Sequence, residues 1–168
     1  MSFAERRTKS SRDDWRTPPE EIALVKRIFG GAIDLDPCAS PYPEMQFARH
    51  SIAERGGLVA SWGGNVFINP PYGRAILDWT RKGRADASSE HTTAQIWLVP
   101  GRAMDSKWWR ELMAFCPVFA IKKKRIKFDG TTCGAMFPSA LCYCGPDEAR
   151  FIDEVEKAGW TVYRKVTK

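Results

Sequence analysis

Four consecutive residues, Asn69-Pro70-Pro71-Tyr72, stand directly behind the apolar run Val66-Phe67-Ile68, and their types suit one kind of chemistry. The exocyclic amine of a nucleobase is a poor nucleophile, because its lone pair is delocalised into the ring. Two acceptors that engage both N–H bonds pull the nitrogen towards tetrahedral geometry and aim the lone pair at an electrophile. The side-chain oxygen of Asn69 and the backbone carbonyl of Pro70 form such a pair. Proline has no N–H, a fixed φ, and a preceding residue held extended, so Pro70-Pro71 presents carbonyls in stiff directions. Tyr72 adds an aromatic face on which a base turned out of a duplex can stack. Positioning of this kind lowers a barrier without an acid or a base. The chain accordingly manages with two histidines, His50 and His91, too few to suggest His-based catalysis. A plain proline-rich turn closing a strand, with Tyr72 capping the core, would use the same letters. The place at a strand's carboxyl end, where open α/β sheets bind ligands, favours the chemical reading.

These residues need a scaffold, and 168 residues allow one domain with a substantial core. Residues 1–14 are polar and without period and read as a flexible arm; residues 15–168 read as a single domain. Thr17 suits the N-cap of a first helix, with Pro18 at its first position, Glu20 completing a capping box and Gly30 stopping it. "AIDLD" reads as a short strand ended by Pro37. The next stretch reads as a short helix from Glu44 to His50 and a turn at Gly56-Gly57. "GNVFI" is the strand that delivers Asn69, "AILDWTRKG" begins a helix, and the polar segment from Arg81 to His91 reads as a loop. "AQIWLVP" is a buried strand and "SKWWRELMAF" a helix with Trp108 and Trp109 in the core. "PVFAIKKKRIKFDG" is a strand entering a basic hairpin, and "SALCYCG" its return, with Cys142 and Cys144 on one face. A helix over "PDEARFIDEVEKAG" and a strand over "WTVYRKV" follow. Strands alternating with helices predict a three-layer α/β domain with a mostly parallel sheet.

"NPPYG" resembles the catalytic motif of amino-methyltransferases, and from Trp15 to about Gly145 the chain resembles the phage-type, Dam-like family of DNA N6-adenine methyltransferases. Three more segments carry the likeness: "DWRTPPEEI", "IDLDPCAS", and the combination "LVPGRAMDSKWW", "KRIKF" and "FPSAL". The resemblance implies S-adenosylmethionine as cofactor and a Rossmann-like methyltransferase sheet with helices on both faces. It implies a cofactor wall at Trp15, Thr17 and Pro18, and a first cofactor motif comprising Asp34, Asp36, Pro37, Ala39 and Ser40. Asp36 would accept from the cofactor's ammonium group, and Ala39 and Ser40 would let the backbone come close. Asn69 would touch the cofactor as well as the acceptor. The chain departs from the broad methyltransferase pattern by lacking a G-x-G at this turn. Too few residues separate Asp36 from Asn69 for the two further strands of a full sheet, so a reduced sheet is expected. Glu54 is the candidate for the ribose hydroxyls.

The formal net charge of +6 favours an anionic partner. Lys122, Lys123, Lys124, Arg125 and Lys127 crowd one segment ending in Phe128. A solvated strand edge explains such a run, and so does phosphate contact with double-stranded DNA. By resemblance Arg125 and Phe128 would line the entrance to the base pocket, and Arg102 and Asp105 its rim. Lys82 and Arg84, in the segment read as a loop, are further candidates for groove contact. The five cysteines form no C-x-x-C pair, so neither a metal site nor a disulfide framework is expected. No apolar run reaches the roughly 18 residues of a membrane span, and no signal-peptide core is found at the N-terminus, so a cytoplasmic location is expected. Other acceptors for the same motif are RNA and protein glutamine, and a non-catalytic DNA-binding module on a decayed methyltransferase fold is the alternative of another class.

Overall fold

A run as apolar as residues 94–100 has no face for water, and such a strand belongs at the centre of a sheet covered on both sides. The computed structural model describes residues 16–40, 46–128 and 135–166. In it this run lies in β4 (Thr92–Pro100), buried at every residue from 94 onwards. Around it stand β1 (Leu35–Ala39), β2 (His50–Ala53), β3 (Gly64–Ile68), β5 (Val118–Lys122), β6 (Ser139–Cys144) and β7 (Trp160–Arg164). The described residues form one seven-stranded sheet in the order β2-β1-β3-β4-β6-β5-β7. Its first four strands are parallel and the other three join antiparallel. A single strand, β2, separates β1 from β3 along the chain, so the sheet is reduced on that side as the short spacing requires.

Side chains alternate across the sheet and build two cores. Ile96 and Leu98 point to one face, where α1 (Pro19–Ile28) and α5 (Glu148–Lys157) cover them with Leu24, Val25, Phe151 and Val155. Trp97 and Val99 point to the other, against α3 (Ile76–Ala87) and α4 (Lys107–Leu112), which bring Trp79 and Leu112. Cys142 and Cys144 share this second face, and Trp109 is buried on it with Trp108 packed alongside. The α/β architecture with helices on both faces is therefore the observed one.

Several local expectations fail for identifiable reasons. Pro18, not Thr17, is the N-cap of α1 and Pro19 takes the first helical position; Pro18 has no polar side chain, so the helix has no side-chain cap, and Thr17 Oγ1 accepts from Asn69 instead. β1 runs through Pro37 to Ala39, with an irregularity against β2 between Asp36 and Ala39 that accommodates the missing N–H. Residues 46–49 are not helical, and His50 opens β2; Glu44 and Met45 lie outside the described residues, as do Trp15 and the arm over 1–14. Gly56-Gly57 ends α2 (Glu54–Gly57). The segment read as a loop from Arg81 is helix to Ala87. Gly83, within that segment, sits where α3 crosses Trp97 so closely that a Cβ would overlap the indole ring. Its carbonyl accepts from Gln95 Nε2 (2.9 Å), and Gln95 Oε1 in turn accepts from Trp97 Nε1 (3.0 Å). β5 is interior, paired with β6 and β7, so the lysines do not guard a sheet edge.

Gly83→Ala tests that crossing. On propensity alone alanine would favour the helix, yet overpacking against a fully buried tryptophan is expected to cost about 1–3 kcal/mol. Thermal unfolding should show a midpoint several degrees lower; an unchanged or raised midpoint would mean that α3 and Trp97 are not in this contact.

Candidate functional site

Parallel strands linked by crossovers place all their carboxyl ends on one edge of the sheet. From β1 the chain goes outward to β2, then returns across β1 to β3 on its other side. Connections thus diverge between β1 and β3, the switch point at which open α/β sheets leave a crevice. β1 delivers Asp36 to Ser40 towards this edge, and β3 ends immediately before Asn69. The loop 101–106 leaves β4 there, β6 arrives there after Phe137, and β5 ends there before Lys123.

Asn69 is anchored from outside its own strand. Its Nδ2 donates to Thr17 Oγ1 at 3.1 Å, which joins the start of α1 to the end of β3 and turns Oδ1 away from the threonine. Pro70 is buried behind it. The Tyr72 hydroxyl donates to the Leu98 carbonyl (3.4 Å), and its ring meets Phe137 edge-on at 5.8 Å between centroids. Burial pushes the Tyr72 hydroxyl well above its ordinary range, so the phenol stays neutral. The Arg102 guanidinium lies 4.3 Å from the centre of the Phe137 ring. Arg102, Phe137 and Tyr72 therefore form a continuous line of contacts from the surface to the tetrapeptide. Beside it, Ala103 takes a left-handed backbone (φ 59°), a strained conformation for a residue with a Cβ.

Asp36 is 6% exposed, and its Oδ1 accepts from the Cys38 N–H (2.9 Å). Burial pushes its carboxyl up to about 7, with the Cys38 hydrogen bond pulling the other way. A desolvated carboxyl at a switch point suits a cationic ligand group, which would restore its charge. Pro18, Pro37, Ala39 and Ser40 lie at the same edge, and Glu54 opens α2 directly beyond the carboxyl end of β2, whose Ala53 pairs with Ala39. Asp34 does not belong to this group. It sits before β1, at the opposite edge, where Oδ2 accepts from Asn65 N (2.9 Å) and Oδ1 pairs with Arg49 (3.1 Å).

The basic candidates divide in the same way. Lys82 and Arg84 lie on the last turns of α3, which carry the chain away from the site edge, and pair with Asp86 (2.7 Å) and Glu111 (3.4 Å). Lys122 is ion-paired with Glu20 (3.5 Å) and with buried Glu21, and it also approaches Trp160. It ties β5 to α1, a structural task. Phe128 is 1% exposed, in the first core, and lines no entrance. Lys123, Lys124, Arg125 and Lys127 are exposed beyond β5. Arg125 donates to the Ala135 carbonyl (3.3 Å), and the Ala135 N–H donates to the Ile126 carbonyl (2.9 Å), which clasps this basic segment to the strand of chain carrying Phe137. Arg102 and Asp105 are exposed on the β4 loop. Reading the sequence alone missed Phe137 as the partner of Tyr72 and Thr17 as the partner of Asn69. "FPSAL" marked the first without a role, and no local signal marks the second. No group of three or more metal-ligating side chains occurs among the described residues, and no described helix is long and apolar enough to cross a membrane.

Residues 5–138 match the family model described as DNA N-6-adenine-methyltransferase (Dam). No curated protein matches the chain significantly.

The buried carboxyl makes a pH prediction. Between about pH 4 and 7 the folded chain holds a proton on Asp36 that the unfolded chain has released. Its contribution to stability is therefore fully present below about pH 4 and is lost as the pH rises to about 7. Asp36→Asn keeps an acceptor for Cys38 without the charge. It should be more stable than the wild type at pH 8, by up to about 4 kcal/mol, and the gain should shrink towards pH 5. Denaturant melts at the two pH values decide it, and a pH-independent difference would contradict the raised pKa.

Proposed function

The chain belongs to the DNA N-6-adenine-methyltransferase (Dam) family, and we propose that it acts on an adenine turned out of double-stranded DNA, with Asn69-Pro70-Pro71-Tyr72 receiving the base. The observation that carries this reading is the anchored Asn69 side chain at the carboxyl edge, one strand away from the buried carboxyl of Asp36. S-adenosylmethionine, when bound, supplies an electrophilic methyl group on a sulfonium. Asp36 would accept from its ammonium group, with Thr17, Pro18, Pro37, Ala39, Ser40 and Asn69 forming the surrounding wall. Asn69 Oδ1 and the Pro70 carbonyl would accept hydrogen bonds from the two N6–H groups and direct the nitrogen lone pair, and the surplus N6 proton would pass to water once the methyl has been transferred. Tyr72, neutral and braced by Leu98 and Phe137, offers a surface for the base and takes no proton. Lys123, Lys124, Arg125, Lys127 and Arg102 would meet phosphates, contacts that add affinity without sequence preference.

Incubation with unmethylated plasmid and S-adenosylmethionine, followed by nucleoside mass spectrometry, tests the reaction; N6-methyladenine is the expected product. Asn69→Ala should lower transfer by at least about a hundredfold, the scale on which a transition-state hydrogen bond acts, while calorimetry shows a far smaller loss of cofactor affinity, because Asn69 is one of several residues in that wall. Wild-type turnover in that variant would refute the role of Asn69. Transfer to RNA or peptide in place of DNA would move the reading to those acceptors. DNA binding with neither cofactor binding nor transfer would leave a binding module.

Charge reversal at both Lys123 and Lys124 should weaken duplex binding equally for unrelated sequences and flatten its salt dependence. Fluorescence anisotropy at several salt concentrations checks this. Unchanged affinity would make these lysines solvated surface only.

A further inference from the structure

A large apolar side chain is exposed at the site edge. Met136 is 82% exposed, between buried Ala135 and buried Phe137. Phe137 points inward onto Tyr72, so its neighbour is carried outward just beyond the tetrapeptide. Met104, 44% exposed on the β4 loop, is a second apolar side chain of this edge, two residues from Arg102. Cations frame the pair: Arg102 lies on the Phe137 ring, and Arg125 is hydrogen-bonded to Ala135, next to Met136 itself. Lys123, Lys124 and Lys127 follow along the same exposed segment. An apolar pair of this size framed by cations fits a polyanion with an apolar interior. A protein or lipid partner would favour a broader apolar patch.

We infer that Met136 is a wedge that enters the base stack of the DNA duplex at the place the target adenine vacates, a role that rests on the methyl-transfer reading of Asn69-Tyr72. The unpaired, unstacked position left by an extruded base exposes apolar ring faces to water. Unbranched, polarisable methionine is among the side chains that proteins insert between base steps. Insertion holds the duplex open on the side of the flipped base, while the cations on either side grip the flanking phosphates. Backbone geometry assists, since Phe137 and Tyr72 lock the base of the wedge to the acceptor pocket.

The test uses the site at which the wild type methylates plasmid DNA. Two oligonucleotide duplexes carry it, one with the target adenine paired to thymine and one with the adenine opposite an abasic position. Pairing energy is already absent in the second, so a wedge matters less there. Met136→Ala should lose about tenfold in kcat/KM on the paired duplex and less than about twofold on the abasic one. Met136→Leu should retain most activity on both, and all three proteins should melt alike. With 2-aminopurine at the target position, the alanine variant should show a smaller fluorescence rise on binding. Equal losses on the two duplexes, or no loss on the paired one, overturn the wedge while leaving the methyl-transfer reading intact. Failure of the wild type to methylate the plasmid at all overturns both.

Discussion

The site depends on a constraint of connectivity. Two parallel strands cannot be joined by a tight turn; the chain must cross back over the sheet, so successive strands end on the same edge. Four parallel strands therefore deliver Asp36, Glu54, Asn69 and the Arg102 loop to one rim, without any of these residues being close in sequence. The chain loses one parallel strand on the side of β2 relative to a full methyltransferase sheet, yet the divergence between β1 and β3 survives. That divergence makes the crevice; the outer strand is dispensable to it. On the opposite flank the antiparallel strands β5, β6 and β7 extend the sheet and turn its basic segment and Phe137 back to the same rim.

Within this frame the tetrapeptide is held from three directions. Thr17 reaches it from the start of α1, Leu98 from β4 and Phe137 from the segment before β6. Each contact is modest by itself, because a neutral hydrogen bond or an aromatic edge contact contributes about 1 kcal/mol. Their worth lies in removing rotational freedom from side chains whose direction is the whole of their chemistry. Because α1 starts after Pro18, Thr17 stands just outside the helix, where its hydroxyl oxygen holds Asn69.

Periodicity made the α/β layering, the buried β4 and the amphipathic α5 legible in the sequence, and the strand before Asn69 with them. What escaped was set by contacts between distant elements. Gly83 looks like part of a polar loop unless one knows that Trp97 lies against it. Pro37 reads as the end of a strand unless an irregularity in the pairing is foreseen. Phe128 and Lys122 look like surface residues in a basic run, but Phe128 is drawn into the core and Lys122 is required by buried Glu21. Asp34 and Asp36 are two residues apart and look interchangeable in "DLD". Only the direction of β1 shows that one faces the far edge and the other the crevice.

Three tryptophans on the α3 side, Trp62, Trp79 and Trp97, pack with ring centres 6.1 Å apart between successive pairs, all buried. Rings so close exchange excitation faster than they emit it, so these chromophores behave as one optical unit. Light emitted by this unit reports whether α3 is docked on the sheet. The protein thus carries an internal gauge of its own folding.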